Sequence, residues 1–293
     1  MRCLLPIFAT GLIWSWSNPA MFTNVAEWPI FRWKALTSVP AYHAEALAWY
    51  ASVSSNATLA QLQAVSDFCT AVDTAGIRGN FLRFNPFLGT NLAASLIPLY
   101  RGTSAVHAVG LSADAATAFA EGDYATNTAL TGDGTSKYLD TGVSLTNSSV
   151  GQNIGFVAFG DFTALSYTNA SPIGTADFGV NHYQQVYLGS GVFGGYHGEL
   201  QGVIFSVPTE CALSCRTATN ELFGVDSSAA VQTNLNAIAT NLVTGSVWVF
   251  ADNGGGRFWP ASLDCYGILK DARPPTLLSI RGAVSNLMSA VGR

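Results

Sequence analysis

Residues 132–142 read GDGTSKYLDTG, and two local structures compete for them. Glycines flanking Asp133 suit a loop that cradles a phosphate or a metal ion. They equally suit a bend leading into a short strand. A phosphate loop runs directly into a helix, whose N-terminal N–H groups and dipole face the anion. Here the chain runs into SKYLD, which alternates like a strand, and no GK[ST] follows. A calcium loop of the EF-hand kind needs Asp or Asn at alternate positions and a closing Glu; only Asp133 and Asp140 are on offer. Asp133-Gly134 is therefore read as a turn, with Tyr138 and Leu139 on opposite faces of the strand after it.

The same punctuation recurs downstream. Candidate strands fall at 136–140, 153–160, 164–168, 183–188, 201–207, 211–217, 246–251 and 261–268, separated by Gly-, Asn- and Asp-rich turns. ADNGGGRFWPAS (251–262) repeats the logic of the first stretch, a flexible bend between two apolar segments. Many short strands with regular turn signals predict a β-sandwich.

Upstream the period is helical. Residues 44–76 predict a pair of helices, with Asn56 or Thr58 capping the second. Leu59, Leu62, Val65, Phe68 or Cys69, and Val72 form its apolar stripe, and Gly76 suits a left-handed C-cap. PPTLLSIRGAVSNLMSAVGR at the end predicts a closing helix with Leu278, Ile280, Val284, Leu287 and Val291 on one face. Residues 1–42 fit neither period. They hold Trp14, Trp16, Trp28 and Trp33 among Pro6, Pro19, Pro29 and Pro40, which break regular elements. Their first twenty residues have the outline of a secretory signal, but Pro6 interrupts the apolar run and no A-x-A-like cleavage site follows. The alternative is an apolar arm that docks on a partner through its tryptophans. The expected organisation is thus an extended arm over 1–42, a helical region and linker over 43–100, and a sandwich closed by a helix over 101–293.

Composition narrows the function. Of 293 residues, 49% are apolar and only 11% charged, with a net charge of −5. No run of Lys or Arg tracks a phosphate backbone, which disfavours nucleic acid, and no stretch has the length of a membrane-spanning helix. Cys3, Cys69, Cys211, Cys215 and Cys265 are odd in number and widely spaced; they read as reduced core residues, with no zinc motif among them. On a strand, Cys211 and Cys215 share a face but lie about 13 Å apart, too far for a disulfide.

Catalytic constellations are sparse. Glycoside hydrolysis needs two carboxylates placed across the sugar, and of the six Glu only Glu121 has an acidic partner two or four residues away, Asp123. His197 and Glu199 in YHGEL are the best acid/base pair, on what reads as a loop; His182 and His197 could meet across a hairpin. There is no G-x-S-x-G and no H-E-x-x-H. No catalytic residue, metal site or cofactor is expected. The glycine-rich segment 177–198 carries Tyr183, Tyr187, Phe193 and Tyr196, which suit stacking on a glycan or contact with a neighbouring subunit, or else alternate into the core.

The order of motifs, TLAQLQAVSDFCTAVDTAGI, FNPFLG, TGDGTSKYLDTG, SCRTATNELF, NGGGRF…CYGI and a last helix ending AVGR, resembles a family of bacteriophage virion structural proteins, the tail-fibre or particle proteins. The resemblance covers roughly residues 56–293. It implies a concanavalin A-like (LamG-like) jelly-roll sandwich and a non-enzymatic place in the virion, as capsid decoration or tail-fibre component. The expected partners are other virion proteins and copies of the chain itself, with trimers common in such assemblies. A lectin-like adhesin that binds a host-surface glycan is the alternative, and a secreted sandwich-fold glycoside hydrolase the third reading.

Overall fold

In the computed structural model, residues 41–54, 56–101, 113–126, 129–144, 153–160, 162, 169–177, 182–189, 192–199, 202–205, 210–218, 221–235, 245–254 and 256–293 are described. The expected arm, with Trp14, Trp16, Trp28 and Trp33, and the expected strand at 164–168 lie outside them. The described chain from Tyr42 onward belongs to one compact unit.

It begins with helices α1 (Ala44–Ser52) and α2 (Leu59–Thr74), strand β1 (Phe81–Asn85) and a short helix α3 (Leu92–Ser95). Strands β2 (Ala115–Thr117), β3 (Tyr124–Ala125), β4 (Ala129–Thr131), β5 (Tyr138–Ser144), β6 (Ile154–Gly160), β7 (Ala170–Asp177) and β8 (His182–Gly189) follow. Then come β9 (Val192–Glu199), β10 (Gly202–Phe205), β11 (Cys211–Ala218), β12 (Glu221–Asp226), β13 (Val231–Asn234), β14 (Ser246–Val249), β15 (Asp252–Asn253), β16 (Ser262–Lys270) and helix α4 (Pro274–Ala290).

The strands form two sheets. Sheet A has the order β13-β12-β11-β6-β16-β4-β3, with β1 also on β16; sheet B has the order β10-β9-β8-β7-β14-β5-β2, with β15 on β7. All pairings are antiparallel except the short β15–β7 contact. The expected sandwich with a helical pair and a closing helix is the observed architecture.

Two cores divide the interior. One lies between the sheets, built on Phe156, Ala158, Ile173, Val186, Val247, Val249 and Ile268. The other lies on the far side of sheet A, where Val157, Leu213 and Cys265 meet Val65, Phe68 and Val72 of α2 and Ile280, Val284 and Leu287 of α4. Sheet A is therefore covered twice, and every residue of β6 is buried. β1 carries Phe81 and Phe84 into the helix-side core, where Phe68 stacks on Phe84 with ring centres 5.0 Å apart.

α2 follows its sequence closely. Thr58 Oγ1 accepts from Gln61 N (3.1 Å), and Thr58 N donates to Gln61 Oε1 (3.0 Å), a reciprocal cap. Gly76 follows the last turn at φ +67°, a conformation costly for other residues. Leu62 to Val72 of the stripe are buried, while Leu59, in the first turn, is 65% exposed. In α4 the buried face starts at Leu277, not Leu278, which is exposed. Residues 277, 280, 284 and 287 keep three- and four-residue steps, which a start at 278 breaks.

The stretch 132–142 is a turn. Asp133 Oδ1 accepts from the backbone N of Thr135 (2.9 Å), Ser136 (2.8 Å) and Lys137 (3.0 Å), and Oδ2 from the Ser136 hydroxyl (2.7 Å). Slight burial acts to raise this carboxyl, but the Ser136 hydroxyl and the backbone donors hold it well below the usual carboxylate range. The oxygens are thus turned onto the protein's own backbone. Gly134 has φ +71°, and a Cβ there would meet Pro260 at 2.7 Å.

Candidate functional site

Among the described residues no helix lies over the outer face of sheet B. Backbone register assigns its residues: Val186 and Val203 face the inter-sheet core, so Gln185 and Ile204 have the opposite parity. Tyr183 and Tyr187 share the parity of Gln185 on β8; Tyr196 sits opposite Gln185 on β9. A glycine lies opposite each of them, Gly198 opposite Tyr183, Gly194 opposite Tyr187 and Gly202 opposite Tyr196, with Ala176 of β7 on the other side of Tyr183. Phe193 pairs with Leu188 and shares the parity of Gly195. A Cβ on Gly195 would come 2.4 Å from Ser214 of the facing sheet, so Phe193 falls on the inward face. Three of the four expected contact aromatics therefore share the open face and one does not.

The structure adds the Trp248 ring, which the sequence does not single out, and pairs it with Tyr138. Trp248 of β14 lies opposite Gly174 and Asp140, and it stacks on Tyr138 with centres 3.8 Å apart and planes 13° apart. Open parts of this face include β2, exposed along its length, and Ile204 at 61% exposure. Its centre is closed by a buried polar knot. Asp252 is fully buried, and the Gln185 amide donates to Asp252 Oδ2 (3.0 Å) while accepting from Arg257 Nη1 (2.7 Å). The face thus combines the stacked Trp248 and Tyr138 rings, glycine positions and a buried polar support.

The segment read as a glycine-rich loop is strand β9, paired on both edges. Glycines concealed its alternation; the close approach of Ser214 is what requires one of them, Gly195. Register sets His182 opposite Glu199 and His197 opposite Gln184. The two histidines are therefore diagonal neighbours, about 7 Å apart by strand geometry, and not a facing pair.

A cleft of about 480 Å³ opens on the other side of the molecule, between α4 and the end of β6, lined by Phe159, Glu210, Asp264, Ser285, Ser289 and Arg293 among others. Glu210 immediately precedes β11 and Asp264 lies in β16, the two strands flanking β6; they are 54 positions apart in sequence, so no local spacing reveals them. Asp264 projects at a bulge, where the pairing of β16 with β6 slips between Leu263 and Cys265. Arg293 donates to the carbonyls of Pro86 (3.0 Å), Phe87 (2.9 Å), Asp264 (3.0 Å) and Thr126 (2.9 Å). Its guanidinium ties three segments together at the cleft edge. Glu210 is exposed at the rim.

A third cluster joins α1 and α2. His43 caps α1, with Nδ1 accepting from Glu45 N (3.2 Å), and its Nε2 lies 3.0 Å from Asp73 Oδ2. Arg78 Nε donates to Glu45 Oε1 (2.9 Å), and the guanidinium lies 3.8 Å over the Tyr100 ring. Burial raises the Glu45 carboxyl above its ordinary value despite the Arg78 hydrogen bond and charge. Cys69 is fully buried, and that burial pushes its thiol up to about 12.

Next to it, Arg83, Asp114 and Tyr266 form a closed knot. Arg83 donates to Asp114 Oδ1 through Nε (2.9 Å) and Nη2 (2.7 Å); the Tyr266 hydroxyl donates to the same oxygen (2.7 Å), and Asn85 to Oδ2 (2.8 Å). Every member is buried, and the knot reads as a structural lock. Cys69, Cys211, Cys215 and Cys265 are all free and buried. Cys211 and Cys215 lie on one strand, opposite Phe159 and Gly155, as the strand reading required. Among the described residues no helix is long and apolar enough to cross a membrane.

No family model matches the chain, and no curated protein matches it. Among solved structures it is similar to NanB with Optactamide, at 13% identity and a TM-score of 0.32, covering 46% of this chain and 25% of that one. It is also similar to domain 4 of AbnA, a GH43 extracellular arabinanase from Geobacillus stearothermophilus, in complex with arabinotriose, at 14% identity and a TM-score of 0.32, covering 50% of this chain and 72% of that one. The chain thus spans about a quarter of the NanB chain. Likenesses at this level assign neither an activity nor a ligand.

Proposed function

We propose that the chain is a non-enzymatic structural component of a bacteriophage particle, a capsid decoration or tail-fibre protein. Its tryptophan-rich residues 1–42 dock on neighbouring virion proteins, and its sandwich is displayed outward. The observation that carries this reading is the order of motifs along roughly 56–293 quoted above. A chain with only 11% charged residues supports it, since a protein held in an assembly depends less on charge for solubility. The test is particle association of the full chain against a chain lacking residues 1–42. The full chain is expected to co-sediment with particles and the shortened one to stay in the supernatant. Equal association overturns the docking role. Turnover of a polysaccharide that disappears in Glu210→Gln overturns the non-enzymatic reading.

A second reading, a glycan-binding adhesin on the particle, draws on the open face of sheet B. Rings alternating with glycines offer flat surfaces for the C–H faces of sugars, and Tyr183, Tyr187, Tyr196, Tyr138 and Trp248 share that face by register. Glycan-array binding that vanishes in Tyr196→Ala and in Trp248→Ala supports it. Silence on a broad array, with particle association intact, leaves decoration alone.

A further inference from the structure

We propose that His43, Glu45 and Cys69 form a mixed-ligand site for one zinc ion where α1 meets α2. One ligand atom from each residue lies within 4.8 Å of the other two. Tetrahedral zinc with N, O and S ligands sets them about 3.5 Å apart, so closure needs shifts of roughly an ångström at each side chain. The donor set, one imidazole, one carboxylate and one thiol, suits a borderline cation such as zinc, and is too soft and too poor in oxygen for calcium or magnesium.

The surroundings favour the same choice. His43 Nε2 lies 3.0 Å from Asp73 Oδ2. With its proton on Nε2, that ring nitrogen donates to a carboxylate while Nδ1 keeps a lone pair, the arrangement that orients metal-bound histidines. Nδ1 now accepts a 3.2 Å bond from Glu45 N, a long contact that an ion would replace. Glu45 keeps Arg78 on Oε1, and a carboxylate can hold a guanidinium and a metal together. Binding releases one proton, because Cys69–SH becomes zinc-bound thiolate and its proton goes to solvent. With the ion in place, the thiolate, Glu45 and Asp73 carry three negative charges against zinc and Arg78, so the cluster as a whole is neutral. Without it, two carboxylates face one guanidinium. The His43 side chain is 21% exposed, which gives the ion a route from the surface, whereas Cys69 is sealed inside.

The test is titration of the reduced, chelator-treated full chain with Co2+. One equivalent is expected to raise a near-ultraviolet thiolate-to-cobalt band with visible bands of tetrahedral strength, and Zn2+ is expected to bleach both. Cys69→Ser should abolish the near-ultraviolet band. His43→Ala, at a partly exposed position that leaves the core intact, should weaken binding at least tenfold, as should Asp73→Asn. Zn2+ should raise the thermal midpoint of the native chain and leave that of His43→Ala unchanged. A folded native chain that gives no band shows that Arg78 alone serves the cluster, and overturns the proposal. A band that survives in Cys69→Ser assigns the ion to another cysteine and overturns it equally.

Discussion

The two sheets of this sandwich have opposite surroundings. Sheet A is covered by the facing sheet on one side and by α2 and α4 on the other, and its central strand β6, IGFVAFG, is buried at every position. Among the described residues no helix covers the outer face of sheet B, and a polar cluster of buried Gln185 and Asp252 with Arg257 closes its centre. The same face carries Trp248 and Tyr138 stacked across β14 and β5. The same pairing chemistry serves both sheets. What differs is the layer above them, and that layer decides which residues each face can tolerate. A doubly covered sheet takes apolar residues on both faces; a bare face is where residues remain free to meet a partner.

The strongest way to break this contrast is to open the covered side. Asp114→Ala leaves Arg83 buried without its carboxylate, and should cost about 3–5 kcal/mol. Phe84→Ala, which removes the partner of Phe68, should cost a similar amount, about 3–5 kcal/mol. Urea denaturation followed by both tryptophan fluorescence and far-ultraviolet circular dichroism should show one shifted transition for each, because helices and sheet share a core. Two separate transitions would mean that the helices are an independent layer.

A smaller loss is expected at the seam between the sheets. Gly195→Ala pushes a methyl towards Ser214 and should cost about 1–3 kcal/mol; pairing it with Ser214→Gly should restore part of the loss. On the bare face the effect on stability should be smaller still. Trp248→Ala breaks the stack on Tyr138 and should cost about 1 kcal/mol, with any larger consequence appearing in glycan or particle binding. A loss as large as that of Phe84→Ala would show that sheet B is covered after all.

The smallest effect concerns the turn at Asp133, whose carboxyl is depressed on folding. A depressed carboxylate stabilises the fold above the unfolded value, near pH 4, and that contribution fades as pH falls through the folded value. Asp133 is exposed, so the effect is modest. The thermal midpoint of Asp133→Asn should lie slightly below that of the native chain at pH 7, and the gap should close as pH drops from about 4 to 2. A gap that widens on acidification would contradict the assigned direction.

Much of the fold is legible because its causes are local. Thr58 and Gln61 cap α2 within one turn, Asp133 binds Thr135, Ser136 and Lys137 just after it, and β6, β8, β11 and β16 fall within a few residues of where alternation puts them. The sequence alternation marks none of β2, β3, β4, β7, β9, β12, β13 and β15 as strands. In β9 the glycines at 194, 195 and 198 remove the side chains that would show the period. β13 is a short edge strand half open to water, so burial imposes little pattern on it. On α4 the expected stripe holds at Ile280, Val284 and Leu287 and differs only at its start, because Leu277 and Leu278 are both leucine and only the sheet beneath chooses between them.

The sequence alone determined the elements that depend on near neighbours: the turn at 133, the caps, the amphipathic stripe of α2 and the alternating strands that require a sandwich. Tertiary structure alone decided which side chains meet. Asp114 reaches Tyr266 across 152 positions, Glu210 joins Asp264 through β6, and His43 and Glu45 meet Cys69 only because α1 folds back on α2. The physical reason is reach. Backbone hydrogen bonding and side-chain period act over a few residues, while charge pairs, clefts and ligand sets depend on register and packing between segments that the chain order leaves far apart.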